Sequence, residues 1–196
     1  MSSPETLYCD HMEEIKKRLE IVDSMVNSKV TIGNESKDAE IICLQIRKVL
    51  EMIAFASIIS NEEKYSEAYS NISTHWRIGD ILKKLEAINP KYYPTPVKYG
   101  KSKNDGVIHF DLVEEGYLTV DDLIKLYDKC SKILHTWNPY RTEPRIVDFG
   151  LSIQEWVNRI RRLLDIHYMK AVESDSIRVV IMNDPNDGKV HMITGK

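Results

Sequence analysis

The chain has 196 residues, of which 42% are hydrophobic and 29% are charged, and its formal net charge is −3. These values predict one globular domain over residues 1–196, and the slight acidity excludes a general electrostatic attraction to nucleic acid. No uncharged apolar run reaches the length of a membrane span, and the N-terminal segment lacks the apolar core of a secretory signal. We therefore expect a cytoplasmic protein that does not associate with membranes.

The N-terminal segment predicts a long amphipathic helix. Ser3, Pro4 and Glu5 form a typical helix start, with a hydroxyl cap, a proline in the first turn and an acid near the positive end of the helix dipole. Apolar residues then recur at steps of three and four from Tyr8 to Val26, so one stripe of this helix faces the core.

The stretch from Lys37 to Ser60 is apolar on nearly every side. A helix of this kind is packed by neighbours on several faces, which predicts a central helix. It also carries Arg47 and Glu51, one helical turn apart, and charged groups on a buried helix need partners or a groove. We expect these two side chains to form a hydrogen-bonded pair or to face a groove together.

Further helices are predicted from capping residues and apolar periodicity. Their expected bounds are Glu62 to Ser70 after Asn61, Ser73 or Thr74 to Asn89, Thr119 to Leu134, and Ser152 onward with an apolar stripe reaching His167. Two β-hairpins are predicted, one from Val97–Tyr99 and Val107–Leu112 and one as a C-terminal appendage over residues 175–196. The expected fold is mostly α, a bundle of five to six helices with one or two small β-hairpins.

The chain lacks the spacing patterns of the common cofactor and metal sites. Its six histidines form no His-x3-His pair, and no Cys-x-x-Cys, phosphate-binding glycine loop or Gly-x-Ser-x-Gly motif occurs. We therefore expect no metal site and no cofactor.

Two histidines are candidates for acid–base chemistry. His135 ends a predicted helix, and Asn138 three residues later could orient its imidazole; a histidine there could equally serve only to stabilise the helix dipole. His167 follows Arg162 by five residues, and an arginine that holds phosphate beside a histidine that moves a proton is the pair needed to cleave RNA through the ribose hydroxyl. The arginines around Arg162 could instead form only a solvated helix face.

The helix CLQIRKVLEMIAFAS, the helix DILKKLEAI and the helix ending in ILHTWNP together resemble the HEPN superfamily, small α-helical proteins of prokaryotic defence, toxin–antitoxin and RNA-processing systems. The resemblance covers about residues 5 to 170. It implies a helical bundle acting on or binding RNA, in phage defence or stress, with metal-independent cleavage in active members. Arg47 or Arg162 would hold phosphate, and His135 or His167 would act in acid–base catalysis.

Two other functions are consistent with the sequence. The chain could be a non-catalytic module that dimerises through helical faces or binds a protein partner, or a small-ligand sensor with a polar groove beside the central helix. We also expect a homodimer with residues His135 to Tyr140 near the interface, since a two-fold pair would cover apolar helical surface. Convergence of Arg47, His135 and Asn138 on one cleft would favour a site, whereas ion-paired or separated residues would favour the module.

Overall fold

A computed structural model describes residues 3–69, 77–101, 107–136, 138–140, 142, 146–170 and 177–195. Within these ranges the chain forms six helices and five strands. The helices are α1 (Pro4–Val26), α2 (Glu35–Ser60), α3 (Glu62–Ala68), α4 (Ile78–Ile88), α5 (Val120–Leu134) and α6 (Ile153–Leu164). The strands are β1 (Thr95–Tyr99), β2 (Phe110–Leu112), β3 (Ile166–Lys170), β4 (Ile177–Ile181) and β5 (His191–Gly195). The mostly α character is confirmed.

The helix starts follow the predicted capping chemistry. The side-chain oxygens of Ser3, Thr119 and Ser152 each accept a hydrogen bond from the backbone N–H three residues later. These bonds satisfy donors that the first helical turn would otherwise leave unpaired. The predicted start of α4 at Ser73 or Thr74 lies outside the described residues.

Helix α2 is the central helix, as predicted. It contacts α1, α3, α4 and α5, and Ile46, Val49, Leu50 and Ile53 are fully buried. Burial on several faces explains why its sequence has no single apolar stripe.

The sheet is larger than one or two hairpins, which corrects the sequence prediction. Its five antiparallel strands have the order β2-β1-β3-β4-β5, so both predicted hairpins exist but are joined through β3. The prediction missed β3 because Ile166 and His167 continue the apolar spacing of α6. Helix α6 in fact ends at Leu164, and His167 is on a strand, so its predicted place on a helical stripe is wrong.

Helix α1 holds the turn between β4 and β5. The Lys16 Nζ donates to the carbonyl oxygens of Met182 at 3.1 Å and Gly188 at 2.6 Å, and the Val190 N–H donates to Glu13 Oε1 at 2.6 Å. The C-terminal hairpin is therefore fixed at both ends, by pairing with β3 and by polar contacts with α1.

Candidate functional site

Arg47 forms a three-membered polar cluster with Glu51 and Tyr127. Its Nε donates to Glu51 Oε1 at 3.1 Å and a terminal nitrogen donates to the Tyr127 hydroxyl at 2.9 Å, while that hydroxyl donates to the same Glu51 oxygen at 3.1 Å. The guanidinium also lies 4.8 Å from the centre of the Tyr127 ring. The predicted Arg47–Glu51 pair is confirmed, and the guanidinium is held by three contacts.

The chemistry of this cluster favours positioning over proton transfer. Partial burial, followed by the Glu51 charge, raises the pKa of Tyr127 above its ordinary value. The phenol is therefore protonated at neutral pH and acts as a hydrogen-bond donor that links α5 to α2.

His167 is fully buried on β3. Its Nδ1 lies 2.7 Å from the Leu164 carbonyl oxygen and its Nε2 lies 2.7 Å from the Tyr8 hydroxyl. A neutral ring that donates from Nδ1 and accepts at Nε2 satisfies both contacts. Burial lowers the pKa of His167 to about 4, so the imidazole is neutral and tied to the core at physiological pH.

Arg162 lies on the exposed side of α6. Its guanidinium donates to the Gly116 carbonyl oxygen at 2.8 Å. Since His167 is buried on the following strand, the structure does not bring Arg162 and His167 together on one accessible surface.

His135 and Asn138 lie in the exposed turn that follows α5. The His135 backbone N–H donates to the Ser131 carbonyl oxygen at 3.0 Å and closes the helix. Asn138 Oδ1 accepts from the backbone N–H of Tyr140 at 3.0 Å, and Tyr140 is 92% exposed. We call His135, Asn138, Pro139 and Tyr140 the Tyr140 turn.

The five candidate residues divide into separate groups. Tyr127, the partner of Arg47, precedes His135 by eight residues on α5, about 12 Å along the helix axis at 1.5 Å per residue. Helix α5 therefore links the cluster around Arg47 to the Tyr140 turn. Arg47, however, is already paired with Glu51. An ion-paired Arg47 is the arrangement expected of an interaction module rather than of a catalytic centre that uses Arg47.

Sequence reasoning missed the roles of Tyr8 and Tyr127. Both tyrosines belong to apolar helical stripes, where they resemble ordinary core residues. A tyrosine in a core still needs a hydrogen-bond partner for its hydroxyl. Tyr8 donates to the candidate residue His167, and Tyr127 donates to Glu51, the ion-pair partner of Arg47. The need of a buried tyrosine hydroxyl for a hydrogen-bond partner was the only sign in the sequence that these residues contact polar groups.

One small cavity lies between α1, α6 and the segment after β4. It has a volume of about 220 Å³. Its lining includes the apolar residues Leu19, Leu164 and Met182 and the basic residues Lys16 and Arg161. Both cations are engaged, Lys16 with Glu13 and Arg161 with Asp23. This cavity is not beside α2, where the sensor hypothesis placed a ligand.

Asp184, Asp187 and His191 have ligand-type atoms within 4.8 Å of one another. The His191 Nε2 lies 3.1 Å from Asp187, and Asp184 accepts the backbone N–H of Asn186 at 2.9 Å. The backbone N–H of Lys189, followed by His191, lowers the pKa of Asp187. Asp184, Asp187 and His191 are thus close together because they form hydrogen bonds within the β4–β5 turn. We assign no metal to them.

No family model, curated protein or solved structure matches the chain significantly. In the part of the chain that the structure describes, no helix is both long and apolar enough to cross a membrane.

Proposed function

We propose that the chain binds single-stranded RNA through the Tyr140 turn. The observation that carries this proposal is the 92% exposure of the Tyr140 ring in a turn that Asn138 braces by a hydrogen bond. Aromatic rings presented to solvent stack on unpaired bases, and this stacking is largely independent of base identity. Because this hydrogen bond already restrains the backbone at Tyr140, less main-chain entropy is lost when the turn binds.

The charges near the turn suit a phosphate backbone. Lys132 is exposed in the last turn of α5, and Lys129, three residues earlier, donates to the Asp148 carbonyl oxygen. Cations at this position also stabilise the helix dipole, so by themselves they do not indicate a ligand. Combined with an exposed aromatic ring, they match the basic and aromatic surface of single-strand binders.

The resemblance to the HEPN superfamily directs the proposal to RNA. If the chain also cleaves RNA, His135 would transfer a proton, Asn138 would orient the imidazole and an arginine would hold the phosphate, without a metal ion. Arg47 would first have to leave Glu51 and Tyr127, and Arg162 would have to leave Gly116. For this reason binding is placed ahead of cleavage.

Fluorescence anisotropy with a labelled single-stranded RNA tests binding. Tyr140→Ala is expected to weaken binding by about fivefold or more, the effect of losing one stacked base, whereas Tyr140→Phe keeps the ring and the affinity. Equal affinity of Tyr140→Ala and wild type would contradict the proposal. Incubation of total RNA with chelator, comparing wild type with His135→Ala and His167→Ala, tests cleavage.

A second candidate function is a non-catalytic helical interaction module that forms a homodimer. The observation in its favour is that Arg47 is ion-paired, together with the 80% exposure of Ile146 in the same α5–α6 connection as Tyr140. An exposed aromatic and an exposed aliphatic side chain on one connection also suit a protein partner.

Light scattering at several micromolar concentrations tests the module. A homodimer doubles the 22.7 kDa mass of the chain, and Ile146→Asp is expected to restore the monomer. A monomeric mass at every concentration contradicts the dimer but leaves RNA binding open to its own test.

A further inference from the structure

Strand β2 forms one edge of the sheet. It pairs only with β1 among the described strands, in the register Val97 opposite Leu112 and Tyr99 opposite Phe110. On its inner side Gly100 N–H donates to the His109 carbonyl, and Val113 N–H donates to the Pro96 carbonyl. Because antiparallel backbone groups alternate in direction, the N–H and C=O groups of Phe110 and Leu112 point away from β1, toward the open edge.

This edge is bordered by exposed apolar side chains. Leu112 is 59% exposed and Tyr99 is 53% exposed, and Val107 and Ile108, just before the strand, are 61% and 60% exposed. A groove of about 900 Å³ runs along Phe110, Leu112 and Val113. Free edges of natural sheets are ordinarily protected by charge or cover, so an edge with this much apolar surface suits a binding partner.

The groove is acidic at the end of the strand. Asp111, Glu114 and Glu115 line it together with the cations Lys98 and Arg162. Arg162 already donates to the Gly116 carbonyl oxygen. Across the described residues, none of the three carboxylates has an ion-pair partner within 4 Å.

We propose that the β2 edge binds an extended basic segment of a partner protein, which adds to the sheet as a sixth strand. The outward N–H and C=O groups of Phe110 and Leu112 would form the main-chain ladder, and alternate apolar side chains of the segment would cover Leu112 and Tyr99. Lysine or arginine side chains between them would pair with Asp111, Glu114 and Glu115.

Charge favours this occupant over a second copy of the chain. Each copy carries a net charge of −3 and three carboxylates along the groove, so pairing of two copies adds like charges. A basic segment neutralises the same carboxylates. The proposal does not depend on RNA binding by the Tyr140 turn.

The test measures fluorescence anisotropy of a labelled peptide, KVKVTVKVK, titrated with the full chain. The acidic peptide EVEVTVEVE is the control ligand. Leu112→Pro removes the outward N–H at an exposed edge position where proline is tolerated, and Leu112→Ala removes the same side chain but keeps the N–H. Glu114→Lys/Glu115→Lys reverses the charge without touching the strand.

We expect saturable binding of the basic peptide and none of the acidic one. Leu112→Pro should weaken binding about tenfold relative to Leu112→Ala, and the double lysine variant should weaken it at least as much. If Leu112→Pro does not fold, judged by circular dichroism, the double lysine variant decides alone.

Equal affinities of all variants, equal binding of both peptides, or no binding of the basic peptide would each overturn the proposal. Concentration-dependent self-association of wild type that Leu112→Pro abolishes, without peptide binding, would instead identify a second copy as the occupant and also overturn it.

Discussion

The Tyr8 hydroxyl and the His167 imidazole are joined by a buried hydrogen bond of 2.7 Å, although the two residues are 159 positions apart in sequence. This bond connects the first helix to the central strand β3. It also explains why a histidine that the sequence marked as a catalytic candidate is buried: its two ring nitrogens are both satisfied inside the core.

His167 should make the protein less stable in mild acid. Burial lowers its pKa to about 4 in the folded chain, whereas an unfolded histidine has a pKa of about 6.5. Below about pH 6.5 only the unfolded chain takes up this proton, so the free energy of unfolding falls as the pH drops toward 4, in total by on the order of 3 kcal/mol.

Urea denaturation of wild type and His167→Gln at about pH 7.5 and pH 5 measures this contribution. Other titrating groups are common to both proteins, so the difference isolates His167. The variant should lose less stability than wild type between the two pH values. Equal losses would show that His167 does not titrate as described.

The fold was predictable wherever local chemistry decides it. The serine and threonine caps, the apolar stripe of α1 and the two hairpins follow from residues close in sequence, and all appear in the structure. Strand β3 was not predictable in this way, because its five residues obtain their strand conformation from pairing with β1 and β4. Local spacing cannot report the pairing with β1, where Thr95 lies opposite Tyr168, and the apolar spacing of α6 runs on through Ile166 and His167.

The candidate site was predictable only in part. The Arg47–Glu51 pair follows from one helical turn, and it is present. The hydrogen bonds of Tyr127 with Arg47 and of Tyr8 with His167 are long-range and depend on how helices and strands pack. The sequence therefore identified polar residues without showing which were already occupied by such contacts.

Removing Arg47 alone should leave Glu51 without its ion-pair partner and destabilise the protein. The Arg47 and Glu51 side chains are 33% and 29% exposed, so the roughly 3 kcal/mol typical of a buried pair falls to about 1 kcal/mol for Arg47→Met. Arg47→Met/Glu51→Met should lose less than the sum of the single variants, because each single variant leaves one charge unpaired and the double variant leaves none.

Chemical denaturation midpoints of the single and double variants measure this coupling. Tyr127→Phe is the matched control, since it keeps the ring beneath Arg47 and removes only the hydroxyl. Additive losses across the cycle would contradict the coupled cluster.

A side chain at Gly116 should cost more than one at Gly33. It has a φ of +79°, and a Cβ there would collide with the Arg162 guanidinium. Gly33 has a similar φ of +81° with open space around it, so Gly33→Ala reports the backbone strain alone. We expect Gly33→Ala to cost about 1 kcal/mol and Gly116→Ala more, since Arg162 must also move.

Thermal unfolding of both variants measures the difference. A further change, Arg162→Ala in the Gly116→Ala background, should recover part of the additional loss. Equal melting temperatures for the two glycine variants would show that the Arg162 contact does not restrict Gly116.

Deleting residues 175–196 should destabilise the whole domain. The deletion removes β4, which pairs with β3, and β5, which pairs with β4, together with the core residues Val180 and Met182. It also leaves Lys16 and Glu13 without their partners in the β4–β5 turn. Circular dichroism and size-exclusion chromatography should show an unfolded or associated chain. An unchanged melting temperature and elution volume would show that the hairpin is dispensable.

The location of RNA contact is the central claim, and photo-crosslinking measures it most directly. Single-stranded RNA containing 4-thiouridine is irradiated with the full chain, and the crosslinked residues are mapped by mass spectrometry. We expect crosslinks at Tyr140 or its neighbours from Lys132 onward, and their loss in Tyr140→Ala. Crosslinks confined to α6 or to the β2 edge, unchanged in Tyr140→Ala, would contradict it.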